Sequence, residues 1–150
     1  MPDRRGGVPA GRFLFQRAFV PIAPFPRAGH GTGGERLPHA LGMRDLTVSS
    51  STRIAGERAG VGRSTVDLAE LHAPFTHQEA ILREALGLGA GVKVNPSGGA
   101  LTANPMMAAG LARIGEAASR IWDGNARRAV AHATSGPCLQ QNLVCVLEGE

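Results

Sequence analysis

Tyrosine is absent from this 150-residue chain, lysine occurs once (Lys93) and cysteine twice (Cys138 and Cys145). Two cysteines with no secretory leader before them are not a disulfide framework; they read as reduced thiols of a cytoplasmic protein. No His or acidic residue stands at ligand spacing from either, so they do not form a metal site. With one lysine, the basic residues are nearly all arginine, which points to codon usage more than to a built cationic surface. No apolar run approaches the roughly 18 residues needed to cross a bilayer. The longest candidate, "AFVPIAPF", is broken by Pro21 and Pro24 and is followed by no cleavage-site pattern.

What the chain has in excess is glycine (21) and proline (10), beside an apolar share of 43% that suffices for one ordinary core. The sequence pI of about 10.4 invites a nucleic-acid reading. The charge is localised, however. Up to Arg36 there are six arginines against Asp3 and Glu35, and this segment carries the whole net charge of +4. From Leu37 onward basic and acidic residues balance and are interspersed, as on an ordinary domain surface. Nucleic acid is therefore not an expected partner. Half of residues 1–36 are Gly, Pro or Arg. The segment is read as poorly ordered, apart from a short strand candidate around Phe13 to Val20.

From Leu37 the patterning changes. "SSSTRIAGERAGV" predicts a short helix capped around Ser49–Ser51 and ended near Gly60. "STVDLAELHA" alternates as a strand ending near His72. "PFTHQEAILREALGLG" predicts a helix with a Thr76/Glu79 capping box, a buried face of Ile81, Leu82 and Ala85, and a stop at Gly87 or Gly89. "VKVN" is a short strand. Asn104 suits an N-cap and Pro105 a first helical position, and Met107, Leu111, Ile114, Ala118 and Ile121 make an apolar stripe at helical spacing. Gly110, Gly115 and several alanines keep that helix thin, so it is expected to pack closely. "RRAVAHAT" and "NLVCVLEG" are two strands joined by a turn, most simply an antiparallel pair. The order predicts an α/β layered domain, a mixed sheet with helices packed on its faces.

Three separated blocks, "AELHAPFTHQEAILREALGL", "VNPSGGALTANPMMAAGLARIGEAA" and "AHATSGPCLQQNLVCVLEG", resemble the C-terminal half of the thiolase superfamily. "HALGMRDLTVSSSTR" is similar to the start of that half. The closest branch is the lipid-transfer (sterol-carrier-protein type) thiolases, often labelled acetyl-CoA acetyltransferases. The resemblance covers residues 37–150; residues 1–36 match nothing in the family. It implies a subunit of two similar α/β halves. The first carries a nucleophilic Cys. The second completes the site with an Asn-Glu-Ala-Phe or His-Asp-Cys-Phe block, a Gly-His-Pro block and a Cys-x-Gly block.

Carried over residue by residue, "HAPF" places His72 where the family donates a hydrogen bond to a thioester oxygen, and a neutral imidazole N–H can do this. The plainer reading is a half-buried His at a strand end. "TANP" places Asn104 where Gly-His-Pro has its His. An imidazole exchanges a proton near neutral pH and an amide does not, so the usual base is replaced by a group that only donates or accepts hydrogen bonds. Asn104 as a helix N-cap accounts for it structurally and is compatible with a ligand contact. "ATSGPC" sets Gly136 on the glycine of Cys-x-Gly, which puts the Cys position on Thr134 or Ala133. Cys138 lies beyond it, too displaced for work that needs contacts of about 3 Å. Cys145 falls mid-strand as a small buried hydrophobe. His132 alternates within its strand and is a further group that could face the same pocket. Gly98 and Gly99 allow a close backbone approach, and in the family they support the acyl-CoA end of the site.

The resemblance thus implies an acyl-CoA (lipid or sterol thioester) acyltransferase domain, incomplete and without the usual Cys/His set, with coenzyme A thioester as substrate and no bound cofactor. Alternatives are a non-catalytic acyl-CoA- or lipid-binding subunit, an inactive fragment, or part of a retro-aldolase acting on acyl-CoA. Half of a two-half fold leaves apolar surface unpaired, which implies a homodimer or a partner protein supplying the other half.

Overall fold

A computed structural model of the chain describes residues 14–20 and 45–149. The five-stranded sheet has strands β1 (Leu14–Val20), β2 (Leu68–Glu70), β3 (Lys93–Val94), β4 (Arg128–Ser135) and β5 (Gln141–Glu148). Their spatial order is β1-β5-β4-β2-β3. β2 runs parallel to β3 and to β4, whereas β5 is antiparallel to both β4 and β1. The α/β class with a mixed sheet is as the sequence predicts, and so is the antiparallel β4–β5 pair. The strand candidate at Phe13 to Val20 spans Leu14–Val20 and pairs along β5 from Leu14↔Glu148 to Val20↔Asn142. The rest of the segment before Asp45 lies outside the described residues.

Helices α1 (Ser50–Ala59) and α2 (Thr76–Ala85) cover one face, and α4 (Ala109–Trp122) covers the other; a single turn, α3 (Gly99–Thr102), precedes α4. Strand alternation divides the core accordingly. Ala69, Val130, Val144 and Val146 point toward Ala55, Ala59, Leu82 and Leu86 of the α1/α2 layer. Leu68, Ala129, Ala131, Cys145 and Leu147 point toward Ala117 and Ile121 of α4.

Local sequence explains most of the boundaries. Ser49 caps α1 by accepting the Thr52 N–H, and Gly60, at φ 80°, ends it with bonds to Glu57 and Gly56 carbonyls. Asp67 joins the starts of β2 and β4 by accepting the N–H groups of Arg127 (2.8 Å) and Arg128 (3.0 Å). These backbone bonds, ahead of the nearby Arg127 and Lys93 charges, hold its carboxyl below the usual range. The Arg128 guanidinium donates to the carbonyls of Gly60, Val61 and Ser64 and to Glu148 Oε1, so one side chain secures the loop that follows α1.

Three expectations need correction. The Thr76/Glu79 capping box does not form. Phe75 is the N-cap residue without a side-chain bond, and Glu79 instead accepts Asn95 Nδ2 at 2.8 Å. Asn104 does not cap the long helix, which begins at Ala109 after a turn. The apolar stripe holds only in its later part. Ile121 is buried and Ile114 and Ala118 pack against the same core, but Met107 and Leu111 are exposed, and Ala109, Arg113 and Ala117 share the face against the sheet. The reason is distance. A Cβ added at Gly110 would lie 2.5 Å from the Ala133 Cβ, so the start of α4 rests too close to β4 for a large side chain there.

Candidate functional site

The carboxyl ends of the parallel strands β2, β3 and β4 are where an open α/β sheet presents its loops to ligands. His72 follows β2, the Asn95–Gly99 loop follows β3, and Gly136 follows β4. The three blocks singled out in the sequence therefore share one end of the sheet.

His72 is half-buried and bonded to β4 and to the connection that leads into α4. Its backbone N–H donates to the His132 carbonyl at 3.2 Å, which fixes the chain on leaving β2. Its Nδ1 accepts the Thr134 N–H at 3.4 Å, and its Nε2 lies 3.2 Å from Asn104 Oδ1. An accepting Nδ1 leaves the proton on Nε2, so Nε2–H donates to the amide oxygen. Asn104 is oriented by this bond. Its Oδ1 is engaged, and the side chain that carries its Nδ2 is exposed. The structure thus brings His72 and Asn104 together, with Thr134 as the third member. The His72 N–H is engaged with Asn104, and the Asn104 Nδ2 lies on the exposed side chain. Gly136, exposed and at φ 76°, begins the turn that carries Cys138 (φ 55°) and Leu139 (φ 56°). The positive φ requires glycine, and an added Cβ would meet Gln140 Oε1 at 3.2 Å.

Gly98 (φ 89°) and Gly99 (φ 62°) also need left-handed backbone. As an anion cradle, however, this loop is already filled. The Asn95 N–H donates to the Ala69 carbonyl and the Gly98 N–H to the Asn95 carbonyl. The Ser97 N–H donates to Glu70 Oε1 and the Gly99 N–H to Ser97 Oγ. A Cβ at Gly99 would come 2.8 Å from Asn95 Cγ. The glycine pair serves the loop's own closure, and its amides are not presented to a ligand.

The sequence reading missed the groups that hold this loop. Glu70, fully buried, accepts Ser97 Oγ at 2.7 Å and Arg113 Nη1 at 3.1 Å on Oε2. Arg113 is 4% exposed and also donates to Ser97 Oγ at 3.0 Å. Asn95 adds a brace, its Oδ1 accepting the Leu71 N–H at 2.7 Å. The available signal was Arg113 itself, a charged residue in line with Ala109 and Ala117 on the small-residue side of the helix.

His132 is not part of the exposed site. It is fully buried, its Nε2 donates to Asn142 Oδ1 at 2.8 Å, and Asn142 Nδ2 in turn donates to Ser51 Oγ and the Leu139 carbonyl. Burial, with a smaller contribution from His72, lowers its pKa to about 4 against the upward pull of Asn142. Cys145 is buried in β5 and Cys138 is exposed in the turn after β4. A cavity of about 770 Å³ lies at the opposite, amino end of the sheet, lined by residues such as Asp67, Lys93 and Arg127, away from His72 and Asn104.

Among the described residues no group of three or more His, Cys, Asp or Glu could hold a metal ion, and no helix is long and apolar enough to cross a membrane. Fold and site together define an α/β domain with an imidazole-oriented amide at its strand ends. No protein-family model matches the chain, and no curated protein matches it.

Proposed function

We propose that this chain is the thioester-binding half of a thiolase-like acyltransferase of the lipid-transfer type, acting on acyl-CoA in the cytoplasm. The observation that carries the reading is the hydrogen-bonded line Thr134 N–H to His72 Nδ1, His72 Nε2–H to Asn104 Oδ1. Three segments distant in sequence meet there, the end of β4, the chain after β2 and the connection leading to α4, at the end of a sheet where α/β folds bind ligands, and the Asn104 amide is on an exposed side chain. Such a donor, fixed in place before a ligand arrives, stabilises negative charge on a thioester oxygen. It cannot exchange a proton, so the site polarises and a nucleophile and base come from another half or chain. Exposed Leu101, Met106, Met107 and Leu111 lie along the segment bearing Asn104 and suit a covering partner, a second copy or the complementary half.

Titration of the purified chain with acetyl-CoA and palmitoyl-CoA, by calorimetry, tests this. Binding is expected, weakened about fivefold in Asn104→Ala and in His72→Ala, the worth of one hydrogen bond. Thiolysis by the chain alone is expected to be absent. Lack of binding to either thioester, or binding indifferent to Asn104→Ala, refutes the reading.

A further inference from the structure

Asn104 is exposed and sits on a connection that runs from β3 to α4, with only the one-turn α3 between. One hydrogen bond of 3.2 Å to His72 is a weak tether for such a side chain. Something else must bring the two together, and both flanks of Asn104 lead to the same carboxylate. Upstream, Ser97 binds Glu70 twice, N–H to Oε1 at 3.0 Å and Oγ to Oε2 at 2.7 Å. Downstream, Arg113 on α4 reaches Oε2 at 3.1 Å and ties itself to Ser97 Oγ at 3.0 Å. Glu70 stands on β2 two residues before His72, so the anchor of the loop and the ring that the loop must meet share one strand end.

We infer that Glu70, Ser97 and Arg113 form a buried clamp that positions Asn104 against His72. They are positioning residues: Glu70 and Arg113 are enclosed by the sheet and α4, and half-buried Ser97 has its hydroxyl taken up by both of them. A buried ion pair is a poor way to gain stability, because apolar residues of similar volume replace such pairs at little cost. Its directional bonds do what apolar packing cannot. Each Glu70 oxygen accepts from a defined donor, which fixes the path of the chain on either side of Asn104. The Arg113 Nε is buried without a hydrogen-bond partner, as expected where the guanidinium is placed for the Nη1 contacts and not for its own full satisfaction.

Two variants test the clamp. Ser97→Ala removes the shared hydroxyl and leaves the Glu70–Arg113 pair, and the double variant Glu70→Leu/Arg113→Met removes both charges together. The first readout is the His72 Cε1–H resonance, compared with that of Asn104→Ala. In both folded variants it is expected to move to the Asn104→Ala value, since the contact with Asn104 is lost in each. The second is acetyl-CoA affinity, expected to fall about fivefold to tenfold, with Asn104→Ala adding less than twofold in the double-variant background. A folded variant that keeps the wild-type His72 resonance overturns the clamp, as does an Asn104→Ala protein whose His72 resonance does not move. If the double variant fails to fold, Ser97→Ala alone decides. The affinity arm rests on the acyl-CoA reading and the resonance arm does not. Wild-type protein that binds no acetyl-CoA defeats that reading while the resonance still judges the clamp.

Discussion

His132 gives the sharpest stability prediction. In the folded chain its Nε2–H donates to Asn142 Oδ1 and its Nδ1 is buried without a partner. The imidazolium would need an acceptor at Nδ1 and a surrounding that solvates charge, and it has neither. Its pKa is accordingly near 4, against 6.5 for an ordinary histidine. A group with a depressed folded pKa lets the unfolded chain bind the proton first. The stability from keeping His132 neutral is therefore complete above pH 6.5 and is lost as pH falls toward 4. The loss is about 2 kcal/mol between pH 7 and pH 5 and roughly 3 kcal/mol in all. Asp45 and Asp67, whose carboxyls are held low by hydrogen bonds, lose their contributions at more acid pH. Urea unfolding measured from pH 7.5 to 4 reads the effect. His132→Gln keeps an N–H donor for Asn142 and cannot titrate, so wild type minus variant isolates His132 from the other histidines. A difference that declines by about 2 kcal/mol over pH 7 to 5 is expected. A flat difference would mean that His132 is solvated or paired in the folded state, and the burial argument would fall.

Two glycines of α4 should respond in opposite directions. Gly110→Ala puts a Cβ 2.5 Å from that of Ala133 and must push the helix off β4; a loss of about 1–3 kcal/mol in urea unfolding is expected. Gly115→Ala meets nothing within 4 Å and should gain about 0.5–1 kcal/mol through helix propensity. Arg128→Met strips the carbonyls of Gly60, Val61 and Ser64 of a charged donor and should cost about 3 kcal/mol, with Arg128→Lys recovering only part of it because one ammonium cannot span three carbonyls.

The strands and α1 were legible because their signals are local. Alternation in "AVAHA" and "LVCVL", Ser49 before α1 and Gly60 after it each act within a few residues. The misreadings all concern choices settled by distant partners. Thr76 and Glu79 have the spacing of a capping box, yet Asn95, sixteen residues beyond Glu79 in sequence, takes the carboxylate. The start of α4 was misjudged because side-chain size was weighed before proximity. Where the helix lies closest on β4 it presents Ala109 and Gly110, and Met107 and Leu111 are left outside, whereas Ile114, Ala118 and Ile121 further along pack as the stripe predicts. Glu70 alternates as a core position and is one, but its partner Arg113 stands 43 residues away and no period marks it. At the candidate site, residue types and blocks were readable in sequence. The order of donors was not, because it depends on the Thr134 N–H, 62 residues from His72, taking Nδ1.

That order makes a final prediction that separates orientation from ligand contact. If His72 only orients and Asn104 Nδ2 is the donor, Asn104→Asp divides the two roles. A carboxylate still accepts the His72 Nε2–H, and more strongly, because the bond becomes charge-assisted. The pair therefore survives, and the His72 Cε1–H resonance should stay apart from its Asn104→Ala value. The Nδ2–H, however, is replaced by an anionic oxygen where an electron-rich thioester oxygen would have to sit. Acetyl-CoA should then bind more weakly to Asn104→Asp than to Asn104→Ala, since the first adds repulsion to the lost donor and the second only loses it. The His72 Cε1–H resonance, read beside calorimetry on the same samples, measures both halves. Wild-type affinity in Asn104→Asp, with the His72 resonance distinct from that in Asn104→Ala, would show that the pair is real and that Asn104 Nδ2 is not the group a ligand meets.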